Sequence, residues 1–210
     1  MTLADERKRT VETGYDELAH RFGDWMAKVE GDPWKGYLDQ LAGRLPVGAR
    51  VLDLGCGNGT KIARLADRFE VVGVDISERQ LELARAAVPG AAFVQADFTA
   101  LEFPAAAFDA VTALYSLVHV PRAAQGDLLA RILRWLKPGG LFLASMSHVG
   151  GEDRVDEWLG VDMFFSGFDA DTNRRLVREA GLELVVDEVV SMQEPETEAT
   201  FLWVLARKPA

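Results

Sequence analysis

Nine residues, Val51-Leu52-Asp53-Leu54-Gly55-Cys56-Gly57-Asn58-Gly59, run from a short apolar stretch into three glycines at alternate positions. Glycines there let the backbone turn sharply and let a ligand approach the main chain closely. A helix opening just beyond presents its free N–H groups beside the turn. Such a site suits a nucleotide-like ligand, although a glycine turn alone is a weak signal. Three carboxylates strengthen it. Asp75 ends an apolar run 20 residues after Gly55, where an acid accepts hydrogen bonds from both hydroxyls of a ribose. Asp97, followed by Phe98, ends the next run and suits an adenine amino group, with Phe98 or Ile76 packed on the ring. Asp53 lies among apolar neighbours and needs a partner there, either the N–H groups of the glycine turn or a ligand ammonium. Cys56 reads as a small filler of the turn rather than as a nucleophile.

The elements that must position these residues follow from periodicity. Leu18, Phe22, Trp25, Met26 and Val29 recur at helical spacing and predict a helix from 5 to about 30, stopped by Gly31-Asp32-Pro33. A shorter helix is expected near 34–44. Strands are expected at 50–54, 70–74, 92–95, 108–114 and 141–146. Helices are expected at 58–67, at 78–87 behind the N-cap Ser77, and at 122–136. Strands alternating with helices imply a parallel sheet covered on both faces. A helix at 171–180 and two β-rich runs, 182–192 and 200–206, follow, and the short acidic segment between those runs predicts a hairpin.

The 210 residues fit a single domain. The expected division is a helical cap at 1–44, a cofactor-binding core at 45–147, an acceptor lid at 148–170, and a closing helix and hairpin at 171–210. The formal net charge of -10 disfavours a broad nucleic-acid interface. Arg131, Arg134 and Lys137 are the candidate local exception, or else a solvated helix face. One cysteine permits no intrachain disulfide and suits a cytoplasmic setting. Residues 1–13 lack the apolar core of a signal peptide, no apolar run reaches membrane-spanning length, and no cluster has metal-ligand spacing.

As a set, these motifs resemble those of the class I S-adenosylmethionine-dependent methyltransferases. The run 51–59 resembles their motif I. Gly73-Val74-Asp75-Ile76-Ser77, Gln95-Ala96-Asp97-Phe98, Phe108-Asp109-Ala110-Val111 and Leu136-Lys137-Pro138-Gly139-Gly140 resemble the later motifs, in order. The small-molecule enzymes of the ubiquinone/menaquinone-biosynthesis type are the most similar. The resemblance implies a Rossmann-like, doubly wound seven-stranded sheet, mostly parallel with an antiparallel last strand, plus N-terminal helices. It implies S-adenosylmethionine as cofactor, leaving as S-adenosylhomocysteine. Gly55 and Gly57 would lie against its methionine part, Asp75 on the ribose, Ile76 on the adenine, and Asp97 and Phe98 at the adenine edge. Leu114 and Tyr115 would flank the methionine end, Tyr15 would fold over the cofactor, and Gln80 is a further candidate.

The acceptor is expected beyond the carboxyl ends of the strands. Trp158, Met163, Phe164, Phe165 and Phe168 suggest an aromatic lid over an apolar pocket, or else completion of the core. His119 and His148 follow the fourth and fifth strands and are candidate bases. Where base-modifying relatives often carry Asn-Pro-Pro-Tyr, this chain has Leu114-Tyr115-Ser116-Leu117, which favours a small-molecule acceptor. A monomer or homodimer is expected. Two other readings stand beside this one: a non-catalytic S-adenosylmethionine-binding regulator, and an NAD(P)-dependent oxidoreductase. The second requires a different glycine spacing.

Overall fold

The computed structural model describes residues 3–210, so residues 1 and 2 of the N-terminal stretch lie outside the described residues. Seven strands form the main sheet: β1 (Arg50–Leu54), β2 (Glu70–Asp75), β3 (Ala92–Gln95), β4 (Phe108–Ala113), β5 (Leu136–Ser147), β8 (Glu183–Gln193) and β9 (Glu198–Arg207). Their order is β3-β2-β1-β4-β5-β9-β8. The first five are parallel, and β9 runs antiparallel to both neighbours. The central strands β1, β4 and β5 are buried on both faces, as their apolar runs require. β5 begins earlier than its apolar run suggests, because Leu136 already pairs with Phe108.

Six helices, α1 (Leu3–Met26), α2 (Trp34–Ala42), α3 (Thr60–Ala66), α4 (Glu78–Ala87), α5 (Arg122–Trp135) and α6 (Ala170–Glu179), surround the strands. One core gathers Trp135, Ile132 and Val177 beneath Phe142 and Val204. Another gathers Leu38, Ile62 and Leu81 against Val51 and Leu143. The helices α2 to α6 pack apolar residues against the main sheet.

The stretch expected to be a lid is a β-hairpin. β6 (Gly151–Trp158) and β7 (Val161–Gly167) pair antiparallel as a separate two-stranded sheet. Leu159 and Gly160 both take positive φ, 52° and 78°, as a tight turn between right-twisted strands demands. α1 lies on this hairpin. Val11 and Leu18 pack on Val161, Met163 and Phe164 in a third apolar cluster. Gly14 permits that approach, since a Cβ there would lie 2.7 Å from Met163 Cε and 3.0 Å from the Asp162 carbonyl.

Ser77 ties α1 to the sheet. Its Oγ accepts from Gln80 N at 3.1 Å, capping α4, and donates to Asp16 of α1 at 2.6 Å. Ser77→Ala removes a cap and the Ser77–Asp16 hydrogen bond, so a loss of about 1–2 kcal/mol is expected in urea denaturation.

Candidate active site

The sharp exit from β1 is built on backbone hydrogen bonds. Gly55 N and Cys56 N both donate to the Val74 carbonyl, at 2.8 and 3.0 Å, because β1 and β2 lie side by side with Leu54 opposite Val74. Gly55 takes φ 75° and packs against Ser116, where an added Cβ would sit 2.4 Å from the serine Cβ. Gly59 takes φ 80°, and its Cβ would meet the Ala84 backbone at 3.0 Å. No side chain fits either place.

Asp75 braces this turn from below. One carboxylate oxygen accepts from Gly57 N at 2.7 Å and the other from Ser77 N at 3.0 Å. Burial pushes its pKa up to about 6, against the pull of those N–H groups. Asp53 does not meet the N–H groups of the glycine turn. Its Oδ1 accepts from Thr112 at 2.6 Å, while Oδ2 has no partner among the described residues. The turn's N–H groups are already taken by Val74 and Asp75, so they do not reach Asp53. Burial raises the Asp53 pKa as well. Burial also pushes the Cys56 thiol up, which keeps it protonated and inert.

Above the turn is a cavity whose lining includes Gly55, Gly57, Asp75, Ile76, Phe98, Leu114 and Tyr115 on one side. Tyr15, His119, Trp158 and Phe165 line it as well. Eleven of the residues singled out from the sequence therefore meet in one place. Gln80 lies just beneath, fully buried near Gly57, with both amide atoms unpartnered. Asp97 lies to the side. It accepts from Thr99 N and pairs with Lys8 of α1 at 2.5 Å, lining a shallower cleft with Gln95 and Ile76.

Other expectations are corrected by packing. Met163 and Phe164 are buried under α1, not in the cavity, because Val11, Gly14 and Leu18 of that helix pack over them. Phe168 lies outside it, beneath the Arg122 guanidinium at 4.3 Å. His148 also lies outside, with Nδ1 2.8 Å from the Thr200 carbonyl. The three cations 131, 134 and 137 form no free patch. Arg131 binds the carbonyls of Thr99 and Leu101, Arg134 pairs with Glu102, and Lys137 with Asp109.

Contributors to the cavity that were not foreseen include Phe22 and Trp25 of α1, Lys61, and Glu194. The helical spacing of Phe22 and Trp25 in the α1 stripe gave a signal for the first two. Their rings interlock with Tyr15 and Trp158 at centroid distances of 5.5 to 6.2 Å.

His119 stands on a single 3₁₀ turn (Leu117–His119) after β4. Its Nδ1 lies 2.7 Å from the Phe164 carbonyl and its Nε2 2.9 Å from the Tyr15 hydroxyl. A carbonyl only accepts, so Nδ1 carries the hydrogen and Nε2 receives the Tyr15 proton donor. Burial lowers the His119 pKa to about 4 and raises that of Tyr15, so both are neutral at ordinary pH.

The residues fit a nucleoside cofactor. Gly55 and Gly57 line the cavity with bare backbone, and Gln80 and Asp53 present unpartnered buried polar atoms beside the turn. The comparisons agree. The family described as "Methyltransferase domain" matches residues 51–140. The chain is 37% identical over 195 residues to the 27-O-demethylrifamycin SV methyltransferase of Amycolatopsis mediterranei, covering 84% of this chain and 70% of that one. It is 34% identical over 151 residues to the demethylmenaquinone methyltransferase of Renibacterium salmoninarum, covering 69% and 62%. Among solved structures it superposes on the Burkholderia thailandensis 1,6-didemethyltoxoflavin-N1-methyltransferase with TM-score 0.74 and 25% identity, covering 100% of this chain and 92% of the other. That protein was crystallised with 1,6-didemethyltoxoflavin and S-adenosylhomocysteine. The chain belongs to the S-adenosylmethionine-dependent methyltransferases. It is a methyltransferase with S-adenosylmethionine as cofactor, and the oxidoreductase and non-catalytic readings are not favoured. Among the described residues, no helix is long and apolar enough to cross a membrane.

Two outcomes test this geometry. Gly55→Ala combines an unfavourable φ with a clash, so it is expected to lose at least about 2 kcal/mol and to abolish S-adenosylhomocysteine binding in calorimetry. His119 takes up a proton near 6.5 when unfolded but only near 4 when folded. Acidification through that window therefore favours the unfolded state, by at most about 3 kcal/mol. His119→Gln should gain stability relative to the parent as pH falls from 6.5 to 4. The raised pKa of Asp75 acts in the opposite sense but is common to both proteins. A melting-temperature difference that stays constant across the window would show that His119 is not held neutral.

Proposed function

We propose that this methyltransferase acts on a small-molecule acceptor bearing an O–H or N–H, seated among Phe22, Trp25, Trp158 and Phe165, with Tyr15 and His119 at its reacting end. The observation that carries this is the Tyr15–His119 pair, 2.9 Å apart, facing the same cavity as the glycine turn. The relatives named above methylate rifamycin-type and menaquinone-type molecules by their names, which supports a small acceptor with a flat or bulky apolar body. The net charge of -10 and the pairing of Arg131, Arg134 and Lys137 support this over nucleic acid. A cytoplasmic setting belongs to the same reading, supported by a lone cysteine kept as a buried thiol.

S-adenosylmethionine, when bound, supplies an electrophilic methyl group with a neutral leaving group. Much of the acceleration then comes from holding the acceptor atom in line. The aromatic walls contribute by orienting the acceptor and excluding water. The acceptor's own proton becomes strongly acidic as its oxygen or nitrogen gains the methyl group. Neutral His119 can take that proton at Nε2, either directly or through Tyr15, whose hydroxyl proton passes to Nε2 while its oxygen receives the acceptor's. Burial makes His119 a weak base, which favours proton removal with or after methyl transfer for an acceptor that is not itself acidic.

An acceptor panel read by S-adenosylhomocysteine release tests the class. With an acceptor in hand, His119→Gln is expected to lower turnover by roughly 10²-fold or more while S-adenosylhomocysteine affinity stays within about threefold. Unchanged turnover in that variant, at a pH where the parent is active, would remove His119 from the reaction.

A further inference from the structure

Glu194 opens the connection between β8 and β9, and the chain around it is held by directed bonds. Glu30, just past α1, exchanges two backbone hydrogen bonds with Gln193, each 2.8 Å. Glu194 N donates to the Thr197 carbonyl at 2.9 Å. The Gln193 side-chain amide donates to the carbonyls of Glu194 and Thr197, at 2.7 and 3.0 Å. The braced turn brings Glu194 into the cavity lining, together with Trp25, Met26, Met192 and Phe201. Its carboxylate is half-buried and, among the described residues, makes no hydrogen bond and no ion pair. Burial raises its pKa. A carboxylate drawn partly out of water without a partner is unfavourable. The other carboxylate on the lining, Asp75, is already committed, with an N–H group on each oxygen.

Topology sets Glu194 apart from the nucleoside end of the cavity. In the sheet order β3-β2-β1-β4-β5-β9-β8, Asp75 and Ile76 follow β2, on one side of the β1–β4 junction. The β8–β9 connection lies at the edge of the sheet on the other side. Tyr15 and Met26 stand about 16 Å apart along the axis of α1, at roughly 1.5 Å per residue. Glu30 follows the Met26 end, so its bonds to Gln193 place Glu194 there too. A molecule whose reacting atom meets Tyr15 and His119 therefore turns its other end toward Glu194.

An alkylammonium is the complement of that end. The carboxylate accepts its N–H groups, and aromatic rings such as Trp25 and Phe201 attract a cation to their faces. A neutral hydroxyl leaves the charge uncompensated, and an acidic group is repelled. We infer that the acceptor carries a protonated amine away from its reacting atom, and that Glu194 is the residue that selects it. This rests on the acceptor seat proposed above. It narrows the acceptor to an apolar body with an O–H or N–H at one end and a basic nitrogen at the other.

Calorimetric titration of the full chain, saturated with S-adenosylhomocysteine, tests the inference with matched phenols. The probes are para-(aminoalkyl)phenols of increasing chain length and the para-alkylphenols of the same lengths. The parent should bind the best amine at least about tenfold more tightly than its neutral match, the usual worth of a charge-assisted hydrogen bond. Glu194→Gln should erase that preference while affinity for the neutral phenol stays within about threefold. Glu194→Asp should keep part of the preference. A parent without preference overturns the inference. So does a preference that survives in Glu194→Gln, which would assign it to the aromatic rings alone. An equal loss of amine and S-adenosylhomocysteine affinity in Glu194→Gln also overturns it, since the carboxylate would then serve the cofactor's own ammonium. Melting temperature confirms folding, and Glu194→Ala stands in if the glutamine variant does not fold. A parent that binds none of the phenols would remove the acceptor seat itself, a result distinct from a parent that binds amine and neutral phenol equally.

Discussion

The site depends on one buried carboxylate. Asp75 stands at the end of β2, out of water, with an N–H of the glycine turn on one oxygen and the N–H of the α4 cap on the other. Burial alone would protonate it, and the two donors work against that. The acid therefore needs the turn and the turn needs the acid. Because β1 and β2 are in register at Leu54 and Val74, the same strand end also supplies the carbonyl that receives Gly55 and Cys56. The cradle floor, the entry to α3 and the start of α4 are thus fixed by a single strand terminus.

The roof is tied to that floor through two adjacent residues of α1. Asp16 receives the Ser77 hydroxyl and Arg79 N, locking the helix to α4. Tyr15 points to His119, whose other nitrogen holds the β7 carbonyl of Phe164. Farther along, Glu30 and Gln193 exchange backbone bonds, and Tyr115 donates to Asp32. Helix, hairpin and C-terminal strands therefore meet over the cavity by directed bonds as well as by apolar contact. This encloses the reacting groups, and enclosure shifts Asp75, His119 and Tyr15 toward their neutral forms.

Much of this was legible in the sequence because it rests on local rules. The apolar runs of β1 and β4 are doubly buried, the glycines need positive φ, and Ser77 caps α4 as its type suggests. The hairpin β6–β7 was not legible. β6 is charged along most of its length, Glu152, Asp153, Arg154, Asp156 and Glu157 among them, so it shows no apolar alternation, and its Leu159-Gly160 turn lacks the usual Asn-Gly signal. The aromatic residues of β7 then read as a lid, though half of them are core for α1. Asp53 shows a different limit. Its need for a partner follows from burial, but the partner, Thr112 on the neighbouring strand, is set by sheet register alone. Lys61 gave no signal, since one lysine in a first helical turn is ordinary until the fold closes around it.

The balance of charge inside the cavity bears on the order of events. A carboxylate raised to about 6 and a histidine lowered to about 4 both mark a place where unpaired charge is poorly tolerated. Methyl transfer carries a positive charge from the cofactor's sulfonium to the acceptor atom, so the cavity holds the same total charge before and after the bond changes. Removing the acceptor's proton first would instead bury an anion. Attraction to the sulfonium would offset that cost only once the two are in contact. In the role proposed for it, a neutral Tyr15–His119 pair avoids that state. The weakness of such a base would follow from the enclosure that positions the reactants, and the proposal then requires an acceptor nucleophilic enough to react while still protonated.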